Sequence, residues 1–157
     1  MPVMNCLWNL RRSGSIVLLA GLVASCATVD RSSSSASIER TVELFRTGTI
    51  GEFVSICSTP MLFDEEIIVR ESDIRTIVTS LRESPARLST GAPAKVESAQ
   101  RYATVFGSSF ETEMFHANYV PDDAVLIRLP GRGMDLVMLL GERTGEYRTI
   151  LGLAVDS

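Results

Sequence analysis

Residues 124–155 read AVLIRLPGRGMDLVMLLGERTGEYRTILGLAV. Three apolar runs stand out: Ala124 to Leu129, Met134 to Leu140 and Tyr147 to Val155. Pro130-Gly131-Arg132-Gly133 separates the first two and Gly141-Glu142-Arg143-Thr144-Gly145 the last two. Those residue types turn a chain, because Pro presets φ and Gly tolerates positive φ. Successive strands joined by tight turns make an antiparallel meander. Side chains alternate along a strand, so Val125, Ile127 and Leu129 share one face, with Leu126 and Arg128 on the other. Upstream, Pro121-Asp122-Asp123 is a turn. Before it, Glu113 to Val120 alternates, with Met114, His116 and Asn118 opposite Phe115, Ala117 and Tyr119. Lys95 to Val105 is also strand-like, and Gly107-Ser108-Ser109 interrupts the two.

Before the strands come three helical stripes. Ile38, Thr41, Val42 and Phe45 recur at i, i+3, i+4 and i+7, with Gly48 as the stop. Thr49 and Glu52 have the spacing of a capping box, and Ile50, Phe53, Val54 and Cys57 repeat the stripe behind it up to Pro60. Ile74, Ile77, Val78 and Leu81 form the third stripe, starting near Ser72 and stopped by Pro85. Met61 to Val69, apolar with an acidic turn at Asp64-Glu65-Glu66, is a short strand or tight hairpin. Glu83 to Pro93 is a breaker-rich loop.

The expected order is helix, helix, short strand, helix, then four strands. That is an α+β domain, with three N-terminal helices packed on a curved antiparallel sheet of about four to six strands. This order resembles the nuclear transport factor two-like fold, the cone-shaped scaffold of ketosteroid isomerases, scytalone dehydratase and polyketide cyclases. Pro60 to Leu81 looks like the family's hairpin leading into its third helix, and Gly145-Glu146-Tyr147-Arg148 like its final hairpin. The resemblance implies a cone-like cavity in which polar groups converge. Ketosteroid isomerases use an aspartate base with a tyrosine and a neutral aspartic acid as oxyanion donors. No local motif matches those residues one by one here, so no catalytic residue is assigned. Asp64, Tyr102, His116, Tyr119 and Arg128 are the candidate pocket residues.

The N-terminus is an address label. Arg11 and Arg12 precede the apolar run Ile16 to Ala24, too short to span a bilayer and suited to a signal-peptide core. Val23-Ala24-Ser25-Cys26 resembles the lipobox of bacterial lipoproteins. The resemblance implies cleavage before Cys26 and acylation of its sulfur and new amino group. Two or three acyl chains anchor stably, since each buried methylene contributes about 0.8 kcal/mol. Ala27, where an aspartate would retain the protein at the inner membrane, points to the outer membrane facing the periplasm. Residues 28–36 are serine-rich and polar, a tether before the domain of residues 37–157.

Composition sets limits on partners. The chain has 157 residues, 45% hydrophobic and 22% charged, enough for one domain. Losing Arg11 and Arg12 takes the basic count from 15 to 13 against 19 acids, a charge of −6. That argues against nucleic acid, which needs clustered Lys and Arg, and against an electrostatic grip on anionic lipid. Cys6 goes with the leader and Cys26 with the lipid, leaving Cys57 as a small buried hydrophobe. One histidine and one spare cysteine are too few for four-coordinate zinc, and no cofactor is expected. The acidic pairs read as turn chemistry, and His116 as structural. Arg128, breaking an apolar strand, meets an anionic ligand, pairs with a neighbouring strand's acid or faces solvent at an edge.

The function these features suggest is a lipid-anchored envelope protein with a non-catalytic domain that binds an envelope protein or an apolar small molecule. The alternative is an isomerase, dehydratase or cyclase with a cone-shaped pocket. A structural role as a homodimer, through an apolar patch on the outer sheet face, is the third reading.

Overall fold

A computed structural model of the chain describes residues 35–84 and 94–156. The leader, Cys26, most of the tether and the loop after Ser84 lie outside the described residues. The domain begins with α1, residues 35–47, so the last two residues of the expected tether are already helical. It continues through α2 (Ile50–Ser55), β1 (Cys57–Phe63), β2 (Glu66–Ile68) and α3 (Glu71–Glu83). Then come β3 (Lys95–Ser98), a 3-10 turn (Ala99–Arg101), α4 (Tyr102–Phe106) and α5 (Phe110–Tyr119). The meander β4 (Val125–Leu129), β5 (Asp135–Thr144) and β6 (Tyr147–Asp156) closes the fold.

Local chemistry explains the elements that match expectation. The Thr49 hydroxyl accepts the Glu52 amide at 3.2 Å, and the Glu52 carboxylate accepts the Thr49 amide at 2.8 Å, completing the capping box. Two residues, Gly145 and Glu146, join β5 to β6, and Gly145 takes the positive φ (63°) that such a turn needs. Asp64 and Glu65 turn β1 into β2, which pair antiparallel with Met61 opposite Ile68.

The six strands form one sheet in the order β2-β1-β6-β5-β4-β3. It is mixed and not antiparallel throughout, because β1 runs parallel to β6. The second helical stripe was expected to reach Cys57, but α2 ends at Ser55 and Cys57 opens β1 opposite Ile150. Pro60 disfavours a helical residue before it. The pairing with β6 then draws the segment into the sheet. Gly152 permits this approach: a Cβ there would stand 3.1 Å from the Leu62 carbonyl oxygen and 3.2 Å from the Phe106 ring.

Two further expected strands are corrected. Only Lys95–Ser98 of the first is a strand, and the chain then turns into α4. Residues 113–120, expected to alternate in a sheet, belong to α5 and its C-cap. Tyr102, His116 and Tyr119 are therefore on helices. Each face of the sheet has its own core. On one, Ile38, Val42, Phe45, Phe53, Val54, Ile74 and Val78 from α1 to α3 pack on Ile127, Leu129, Met138 and Ile150. On the other, Phe106 and Phe115 from α4 and α5 pack on Leu126, Val137, Leu139 and Ala154.

Buried polar groups link these layers. The Thr41 hydroxyl donates to the Ser37 carbonyl at 2.8 Å and accepts the Arg148 amide at 2.9 Å. The buried Arg148 guanidinium donates to the Asp123 carbonyl and carboxylate, both at 3.1 Å. Arg82 on α3 donates to the Leu44 carbonyl at 2.9 Å and to that of Gly48, closing the end of α1. Its burial lowers the guanidinium pKa.

Candidate binding site

Among the described residues, helix α5 carries three exposed large hydrophobic side chains, Phe110, Met114 and Tyr119. Its start is set by Ser109, whose hydroxyl accepts the Thr112 amide at 3.2 Å, and Glu111 and Glu113 suit the positive end of the helix. The Thr112 hydroxyl donates to the Phe106 carbonyl at 3.2 Å, fastening α5 to the end of α4. At 100° per residue, Thr112, Phe115, His116 and Tyr119 share one side of the helix. Thr112 and Phe115 are buried. Phe110, Met114 and Ala117 lie on the opposite side, with Phe110 73% and Met114 46% exposed. Glu113 flanks that stripe on one side, Glu111 and Asn118 on the other, all exposed.

Beyond the last turn of α5 the surface forms an open cleft of about 340 Å³. Ala117, Tyr119, Pro121, Glu142, Thr149 and Leu151 contribute to its walls. The Tyr119 ring packs on Phe115 at a centroid distance of 5.2 Å, yet the residue remains 51% exposed. The cleft lies where the partial negative charge of a helix C-terminus gathers, beside the exposed Glu142 carboxylate. An aromatic face, a carboxylate and a helix C-terminus all favour a cation.

The candidate pocket residues do not all meet. Asp64 is committed to the backbone: its amide donates to the Leu153 carbonyl at 2.9 Å, and its carboxylate accepts the Val155 amide at 3.0 Å. Tyr102 and His116 come together, their rings stacked 3.8 Å apart at 15°. Tyr119 lines the cleft. Arg128, 19% exposed, holds Glu97 at 3.4 Å and Asp135 at 3.5 Å, and also pairs closely with Asp156. Hydrogen bonding and Coulomb attraction to Asp156, with help from Glu97, raise its pKa despite partial desolvation. Of the two partners expected for this arginine, the structure shows the neighbouring acids.

Cys57 is half-buried, and burial pushes its thiol up to about 12. The thiolate is the reactive form, so this sulfur is inert at neutral pH. It donates weakly to the Phe53 carbonyl at 3.5 Å. Among the described residues no group of His, Cys, Asp or Glu is arranged to hold a metal ion.

Sequence reasoning placed Tyr119 among the candidates but missed Phe110, Met114 and Glu142. A usable signal was present. Ser109 followed by two acids within four residues is a helix-start pattern, and Thr112, Phe115, His116 and Tyr119 have helical spacing. Comparison of the chain with protein-family models, curated proteins and solved structures returns no match, so the functional reading rests on the geometry of this site.

Proposed function

We propose that this chain is a bacterial lipoprotein, anchored through Cys26 in the cell envelope on the periplasmic side of the outer membrane, whose domain acts by binding and not by catalysis. The observation that carries the binding reading is the contrast between candidate chemistry and exposed surface. Asp64 and Arg128 are occupied by structural bonds, while Phe110, Met114 and Tyr119 on α5 are left open beside a cleft. An exposed apolar patch next to polar residues is what a binding surface offers. The space between α1–α3 and the sheet is filled by buried apolar side chains, which favours binding over a cone-shaped catalytic pocket.

The anchoring part rests on the leader pattern and the lipobox, and no helix among the described residues is long and apolar enough to cross a membrane. A likeness to the nuclear transport factor two-like fold belongs to the same reading. It draws on the two helices, the β1–β2 hairpin and α3 preceding the meander. Radiolabelled palmitate tests the anchor. The wild-type chain is expected to take up label and to sediment with membranes, and Cys26→Ala to do neither. An unlabelled wild-type chain in the cytosol would overturn it. Turnover of a small substrate that disappears on Tyr102→Phe or His116→Gln would overturn the non-catalytic part.

A further inference from the structure

We infer that the outward face of α5 and the cleft at its C-terminal end dock a basic amphipathic segment of a protein partner. The segment lays apolar side chains on Phe110, Met114 and Ala117 and places a lysine or arginine in the cleft beside Tyr119 and Glu142. This rests on the binding reading above and names its partner class.

The occupant follows from charge. Glu111 and Glu113 border the apolar stripe, and Asp122 and Glu142 stand at its C-terminal end. At the other end the Glu65 carboxylate lies against Gly107, three residues before α5. All five are exposed, and none has an ion-pair partner among the described residues. Elsewhere Glu97, Asp135 and Asp156 share Arg128 and Asp123 holds Arg148, while the exposed Glu66 of β2 has no ion pair among the described residues. An apolar strip ringed by uncompensated negative charge is complementary to a strip ringed by positive charge.

The same charges disfavour the other occupants. A second copy meeting this face through a two-fold axis would set the like carboxylates against one another. An anionic membrane surface would repel them. An apolar helix face with a cation-accepting cleft at its C-terminal end suits a partner helix that carries apolar anchors at helical spacing and a cation at one end.

The test uses the full chain held in nanodiscs of zwitterionic phosphatidylcholine, with protein-free nanodiscs as the blank. The probe is a fluorescent synthetic helix carrying leucines on one face and lysines beside them. A second helix has every lysine replaced by glutamate. Binding of the lysine helix is expected, with clear weakening as salt is raised. Phe110→Ser together with Met114→Ser should weaken it about tenfold or more, because the two together remove apolar area worth at least that change. Glu142→Gln should weaken it by a smaller factor, and Glu71→Gln, on α3, should leave it unchanged.

Equal binding of the glutamate helix would overturn the inference. So would a lysine helix that ignores the paired serine substitutions. A wild-type dimer that dissociates on Phe110→Ser would assign the face to self-association instead, and capture of phosphatidylglycerol vesicles through it would assign it to lipid. Palmitate labelling and substrate turnover are separate readouts. A chain that is labelled and catalytically silent but ignores the lysine helix loses this inference alone.

Discussion

The two faces of the sheet are covered by helices in different ways. On the first face, α1, α2 and α3 contribute to a core of fifteen buried residues among those described, and Arg82 pins α3 to the end of α1 from above the Phe45 and Phe53 rings. On the second, nine buried residues among those described form the core, and α5 itself buries only Thr112 and Phe115. The first layer spends its apolar side chains on folding. The second leaves Phe110, Met114 and Tyr119 between 46% and 73% exposed. Apolar surface that folding leaves open is what distinguishes a docking face from a structural one.

The largest effect is expected where the first layer is opened. Phe53 is fully buried and packs edge-on against Phe45 at 5.1 Å. Phe53→Ala should lower unfolding free energy by about 3–5 kcal/mol, measured by urea denaturation. Phe115→Ala should cost less, toward about 3 kcal/mol, because one flank of α5 already meets solvent. Equal losses would mean that the two layers support the sheet alike.

The link between β6 and the turn before β4 comes next. Asp123→Ala leaves the buried Arg148 with the Asp123 carbonyl alone, and about 2 kcal/mol should be lost. A loss below half a kcal/mol would show that this pairing adds little to holding that turn on β6.

A smaller effect is expected at the α2 cap. Thr49→Ala removes the side-chain half of the capping box and should cost about 1 kcal/mol. Hydrogen bonds from the Thr49 backbone first, and from its side chain second, hold the Glu52 carboxyl below its ordinary value of 4.5. A lowered carboxyl pKa stabilises the fold fully above the ordinary value, and that contribution fades as pH falls through the lowered one. NMR titration of Thr49→Ala should move Glu52 only part of the way back up, because the backbone donor remains. Complete reversion would show that the hydroxyl dominates.

The smallest effect sharpens the contrast most. Phe110→Ser should change stability by no more than about 0.5 kcal/mol, since the ring is mostly in water. A large loss of stability there would mean that the open side of α5 is structural after all.

Periodicity and caps carried much of the fold. The stripe of α1, the capping box of α2, the β1–β2 hairpin and the three meander strands are written in residues at most a few positions apart, and those interactions need no distant partner. The region between β3 and β4 was read as strand for a local reason too. Over eight residues, Glu113 to Val120 satisfies an alternating pattern, while the helical pattern starts earlier, at the Ser109 cap. A short window favours the wrong period.

The sequence by itself determined the turns of the meander, the buried sides of the first three helices and how the last three strands pair, because each follows from backbone preferences and spacing within one segment. Tertiary structure alone decided that β1 runs parallel to β6, that Thr41 receives the amide of Arg148 from 107 residues away, and that Arg128 is shared by three acids. It alone decided which apolar side chains of α5 remain uncovered. Those outcomes depend on contacts between residues far apart in the chain, and no local pattern encodes which distant surface will arrive to cover a side chain or leave it open.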